Sequence, residues 1–96
     1  MISYESMIVF TPDLTEEELT TENEKILTLI KSYGGEIIKT DNWGKRNLSY
    51  EIKKKKEGYY LINYFKMEAK RLSELENQYK LNENILRYNL LRIEEE

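Results

Sequence analysis

The side chains able to do chemistry in this chain are cations and tyrosines, and they crowd together. Lys45, Arg46 and Lys53 to Lys56 fall inside one stretch, Trp43 to Tyr64, that also holds Tyr50, Tyr59, Tyr60 and Tyr64. Arginine offers forked donors to phosphate and lysine a mobile point charge. Tyrosine suits protein contacts and can also stack on unpaired bases. None of this chemistry breaks bonds. The chain has no histidine and no cysteine. That removes the commonest general base and metal ligand, every Ser–His or Cys–His pair, any disulfide and any thiolate zinc site. No cofactor, metal or small-molecule substrate is expected.

The formal net charge is −3, which argues against a protein that grips nucleic acid unaided. The bases are local, while acid collects at Glu16 to Glu18 and in the tail Glu94 to Glu96. A solvated turn is the alternative reading of the lysine run. The N-terminus, MISYESMIVF, lacks a basic region and a cleavage site, so it does not read as a signal peptide. No apolar run approaches the roughly 20 residues that span a bilayer. The expectation is a soluble cytosolic chain with no membrane partner. Its 96 residues suffice for one domain over 1–93 with a short, frayed acidic tail over 94–96.

Six elements must position these groups. Residues 2–10 alternate, with Ile2, Tyr4, Ser6, Ile8 and Phe10 on one side and Ser3, Glu5, Met7 and Val9 on the other. Period two means a strand, and apolar groups on both sides make it a central one. Pro12 ends it. Thr15 and Glu18 form a capping box, with Leu14 and Leu19 at the staple positions. Leu19, Ile26, Ile30 and Tyr33, beside Leu29, give a core stripe, and Gly34-Gly35 stops the helix. A second strand over 36–40 is interrupted at Asp41 to Gly44, as a bulge or a bend. Strand character resumes from Arg46 to Ile52, with Leu48, Tyr50 and Ile52 alternating. Lys53 to Gly58 is read as a turn and 59–67 as the third strand. Ala69 to Leu81 is a helix with Leu72, Leu75 and Tyr79 in its stripe and Asn82 as a stop. Ile85 to Ile93 is the last strand, with Tyr88 and Leu90 on one face and Arg87, Asn89 and Leu91 on the other.

The order β-α-β-β-α-β predicts an α+β, ferredoxin-like fold: a four-stranded antiparallel sheet with both helices on one face. Right-handed crossovers place strands one and three at the centre. The second face is then open unless a partner covers it. By alternation it carries Met7, Val9, Tyr60, Ile62, Tyr64 and Leu91, with Arg87 nearby. A contiguous apolar patch of that kind marks an interaction surface. Stacked RNA bases would fit it, but the third strand, GYYLINYF, lacks the Gly-Phe-Gly/Ala-Phe core of RNA-recognition domains. A protein partner fits Met7, Val9 and Ile62 better.

One combination of residues spans nearly the whole chain. It comprises Tyr4-Glu5, Thr11-Pro12-Asp13-Leu14, Gly34-Gly35, Trp43-Gly44-Lys45-Arg46 with Leu48, Tyr50 and Ile52, then Gly58-Tyr59, and Asn84 to Tyr88. It resembles the bacterial family of small-subunit ribosomal protein number six. The resemblance implies the same ferredoxin-like fold and a place in the central domain of the small subunit. It also implies binding to small-subunit ribosomal RNA as a heterodimer with ribosomal protein eighteen. By position in the family's motifs, Arg87 is a candidate phosphate contact and Arg46, Leu48 and Tyr50 are candidates for the protein interface; Tyr4, Lys45, Arg46, Lys54, Arg87 and Arg92 together are the candidate RNA contacts. Met7, Val9, Leu48, Tyr50, Tyr60, Ile62 and Tyr64 are candidate protein-interface residues. Glu51 stands where the family often has proline, which leaves the fold intact and alters the strand edge.

Two other classes fit less well. Acylphosphatases share the strand order but hold phosphate after strand one, and here that place reads PDLTEEEL, which repels an anion. A regulatory module that dimerises through its sheet and takes a small ligand would show as a stable homodimer indifferent to RNA.

Overall fold

Alternation in β1 (Ile2–Phe10) sets the architecture. Tyr4, Ile8 and Phe10 point into the core, and so do Leu61, Phe65 and Met67 of β3 (Lys55–Met67). The two strands pair antiparallel without a break from Ile2↔Met67 to Phe10↔Tyr59. Ile8, Phe10, Phe65 and Met67 are fully buried, and each such side chain stabilises the fold by roughly 1.5–3 kcal/mol. The computed structural model describes residues 1–93, so the tail over 94–96 lies outside the described residues. Besides β1 and β3 the chain forms α1 (Glu16–Ser32), β2 (Glu36–Ile52), α2 (Leu72–Leu81) and β4 (Ile85–Arg92). The sheet order is β2-β3-β1-β4, antiparallel throughout, with the helices on one face. This is the expected ferredoxin-like arrangement.

The capping box forms as expected. The Thr15 hydroxyl accepts from the Glu18 N–H at 3.1 Å, and the Glu18 carboxylate accepts from the Thr15 N–H at 3.0 Å. That backbone hydrogen bond holds the Glu18 carboxyl below its usual range. Gly34, at φ 82°, adopts the left-handed conformation that ends α1. α1 buries Leu19, Ile26 and Ile30 as expected, but Asn23 is buried with them. Its side chain and that of Asn63 on β3 exchange amide hydrogen bonds of 3.2 and 2.9 Å, and Thr40 donates to Asn63 at 2.7 Å. Leu19, Asn23, Ile26 and Ile30 share one helical spacing, so the position was legible although the residue type concealed it. A second buried polar contact joins the hydroxyls of Ser6 and Tyr79 at 2.8 Å. Burial drives the Tyr79 hydroxyl far above the usual tyrosine range.

Three boundaries differ from the sequence reading. β2 is continuous through Asp41 to Gly44, because bulges rather than a break absorb the extra residues. The turn after it is confined to Lys53-Lys54, and β3 begins at Lys55 rather than at 59. α2 begins at Leu72, after a 3-10 turn over Ala69–Arg71.

The asparagine pair yields a stability prediction. Asn63→Ala strands the buried Asn23 amide and should cost about 1–3 kcal/mol in urea denaturation. Replacing both asparagines with leucine should cost clearly less than the sum of the two single replacements. Strict additivity would contradict the pairing.

Candidate interaction surface

The second face of the sheet resolves into three cross-strand rows, because residues directly opposite share a face. Lys39, Tyr64, Glu5 and Leu91 form one row. Asp41, Ile62, Met7 and Asn89 form the next, and Gly44, Tyr60, Val9 and Arg87 the third. Arg46, opposite Gly58, lies one step further along β2. Neither helix covers these rows. The face alternates charge with apolar surface. The Lys39 ammonium sits 4.8 Å from the Tyr64 ring centroid, and the Tyr64 hydroxyl donates to Glu5 at 3.3 Å. Burial, followed by the Glu5 charge, pushes the Tyr64 hydroxyl up. Leu91 is 50% exposed, while Met7, Tyr60 and Tyr64 are half-buried.

Bulges in β2 decide which of its side chains reach this face. The first, at Ile38, turns Lys39 outward, and Ile38 itself is exposed. The second, at Trp43, restores Gly44 and Arg46 to the second face. Gly44 takes φ 76° there, and its N–H donates to Asn42. The Arg46 guanidinium lies 5.1 Å from the Trp43 ring and donates to the Trp43 carbonyl. The third is wider: between Asn47↔Glu57 and Ile52↔Lys55, the residues Leu48 to Glu51 stand opposite Lys56 alone.

The β2–β3 arm beyond Gly58 is tied down on two sides. Arg87 donates to the Tyr50 hydroxyl at 2.9 Å, and the Lys53 ammonium donates to the Ile85 carbonyl at 3.3 Å. Lys55 forms a 2.6 Å ion pair with Asp13, in the connection after β1. That hydrogen bond holds the Asp13 carboxyl below its usual range. The arm can approach this closely because Gly58 has no side chain. A Cβ there would lie 2.5 Å from Val9 Cγ1 and 3.1 Å from the Phe10 carbonyl.

The anticipated residues divide accordingly. Tyr4 is corrected: it is 5% exposed, its ring centroid 5.8 Å from that of Phe65, and so it is core rather than an RNA contact. Val9 and Ile62 lie on the expected face but are 1% and 3% exposed. Val9 sits beneath Gly58, so the two support the surface and do not form it. Arg46 and Arg87 share the second face, and Lys54 is exposed at the arm's tip. Lys45 stands apart, opposite Tyr59 with its ammonium 5.1 Å from that ring. Arg92 is at the far end of β4, opposite Tyr4. Tyr50 is 64% exposed and Leu48 half-buried within the wide bulge. Sequence reasoning missed Lys39 and Asp41, whose facing depends on the bulges, and left Glu5 out of the surface although alternation puts it beside Met7 and Val9. It also missed Lys53 and Lys55 as ties.

A one-sided helix layer, a mixed apolar and charged second face, and a basic arm define a ferredoxin-like domain of the kind that presents a surface to other macromolecules. Among the described residues no helix is long and apolar enough to cross a membrane. The model of the family described as ribosomal protein S6 matches residues 3–92. The chain is 46% identical over 95 residues to small ribosomal subunit protein bS6 of Thermoanaerobacter pseudethanolicus, covering 99% of this chain and all of that one. It is 43% identical over 94 residues to the Streptomyces coelicolor protein of the same name, covering 98% of each. The crystal structure of 30S ribosomal protein S6 from Thermotoga maritima superposes with a TM-score of 0.91 at 36% identity, over 96% of this chain and 87% of that one. The chain belongs to the ribosomal protein S6 family. It is a structural, non-enzymatic constituent of the small ribosomal subunit, and its place is therefore on the ribosome in the cytoplasm.

Two outcomes test this geometry. Gly58→Ala should destabilise the protein by about 1–3 kcal/mol through overpacking against Val9, read as a lowered denaturation midpoint; an unchanged midpoint would mean the arm does not sit so close. The Asp13 tie should also depend on pH. Its folded pKa is depressed from 3.8, so its stabilisation is present above that value and lost as pH falls through the folded one. Asp13→Asn should therefore be less stable than wild type near neutrality and equal to it in strong acid.

Proposed function

We propose that residues 1–93 act as one unit that binds central-domain RNA of the small subunit cooperatively with small-subunit ribosomal protein eighteen. The observation that carries this reading is the second sheet face, where Met7, Tyr60, Tyr64 and Leu91 lie in continuous cross-strand rows that no helix covers. Such a surface suits a protein partner, since tyrosine and methionine are enriched in interfaces. The charge supports the same division of labour. A chain of net charge −3 gains little from phosphate by itself, and a basic companion would supply the missing attraction. Arg46 and Arg87, on one side of the sheet, together with Lys54 at the arm's tip, are the phosphate contacts of this reading. Lys45 and Arg92 are peripheral to it. Tyr50 and Leu48 on the arm join the protein interface beside Met7, Tyr60 and Tyr64.

Binding to a central-domain RNA fragment across a salt series, with and without protein eighteen, tests the proposal. Tight binding only with the partner is expected. Met7→Glu should abolish the cooperativity while leaving the unfolding free energy within about 1 kcal/mol of wild type. Arg87→Ala should weaken assembly several-fold at physiological salt with folding nearly unchanged. Equal binding without the partner would assign Tyr60 and Tyr64 to direct base stacking instead. Absence of binding in both cases would overturn the proposal.

A further inference from the structure

Lys53 to Lys56 looks in sequence like one basic patch, but the folded arm treats the four residues differently. Lys53 and Lys55 are engaged within the molecule, on the Ile85 carbonyl and the Asp13 carboxylate. Lys54 and Lys56 are exposed and, among the described residues, make no ion pair or side-chain hydrogen bond. Glu51 and Glu57 flank them in sequence, and neither forms an ion pair among the described residues.

The turn itself is informative. Lys53 and Lys54 have φ of 50° and 66°, the left-handed region at both central positions of a two-residue hairpin turn. Asn-Gly occupies such a turn at much less cost than two lysines do. At Lys53 the side chain recovers part of that cost through its bond to Ile85. At Lys54 no intramolecular side-chain bond offsets it. The Ile52↔Lys55 pairing requires this conformation, so Lys54 is held at the tip of the hairpin with its side chain outside any ion pair among the described residues.

The geometry points to a split lysine run, in which Lys53 and Lys55 fasten the arm and Lys54 and Lys56 neutralise backbone phosphates of the bound RNA. This rests on the RNA-binding proposal above, which already includes Lys54, and adds Lys56 and the division of the lysine run to it. An arm fastened before binding loses little conformational freedom on contact, so its two free ammonium groups act from a nearly fixed position.

The test uses the full chain with protein eighteen and the central-domain RNA fragment. Removing one phosphate-neutralising cation should reduce the slope of log affinity against log salt by about 0.7–0.9. Lys54→Gly should show one such decrease while raising the denaturation midpoint, because glycine relieves the left-handed strain. A role confined to folding would not move affinity and stability in opposite directions. Lys56→Ala should show a similar decrease with an unchanged midpoint. Lys55→Gln should leave the slope nearly unchanged and speed amide exchange over residues 46–57. Unaltered slopes for Lys54→Gly and Lys56→Ala in a complex whose wild type binds would overturn the inference alone. Failure of the wild-type complex to bind would overturn both it and the RNA-binding proposal.

Discussion

The unbroken antiparallel register of β1 against β3 is the constraint on which the rest depends. From Ile2↔Met67 to Phe10↔Tyr59 no residue is inserted or skipped. Side chains alternate across a strand, so this pairing alone sorts the two central strands into a helix-facing set and an outward set. Ile8, Phe10, Phe65 and Met67 go inward, where α1 and α2 close over them. Met7, Tyr60 and Tyr64 go outward. A slip of one residue by β1 would turn Glu5 inward, and a slip of one by β3 would turn Phe65 outward. The Asn23–Asn63 pair reinforces the register, because only one alignment places Asn63 beneath α1 with its amide satisfied.

The edges follow a different logic. β2 is a long edge strand, and a flat one would invite pairing with another chain. Its bulges at Ile38, Trp43 and Leu48 to Glu51 twist and interrupt that edge. The same bulges bring Lys39 and Arg46 round to the second face and free Tyr50 to meet Arg87. Edge protection and surface construction are thus one device. Gly58 completes it by letting the arm approach Val9 and the Phe10 carbonyl closely enough for Lys53 and Lys55 to reach their acceptors.

Much of this was legible in the sequence, for reasons that can be named. β1 announced itself by alternation, α1 by its capping box and glycine stop, and the strand order by the succession of elements. The outward set on β1 and β3 followed from period two. What escaped depended on tertiary approach or on bulges. Val9 and Ile62 were placed on the correct side, but their burial depends on neighbours such as Gly58 that only folding brings near. Tyr4 shares its side with Ile8 and Phe10, so alternation already pointed to the core, against its reading as an RNA candidate. In β2 each bulge reverses the parity of every later residue, and a bulge leaves little trace in composition. Four successive lysines look like a loop in sequence, although the left-handed pair Lys53-Lys54 suffices to turn the chain.

In the proposed function the second sheet face and its fastened arm form the binding surface, while the helix layer holds the sheet. Amide hydrogen exchange of the chain, free and then in complex with protein eighteen and the RNA fragment, tests it most directly. Added protection is expected in β4 and across the arm over residues 46–57, with the exposed amides at the start of α1 unchanged. Protection confined to α1 and α2, with the arm exchanging as in the free protein, would contradict it.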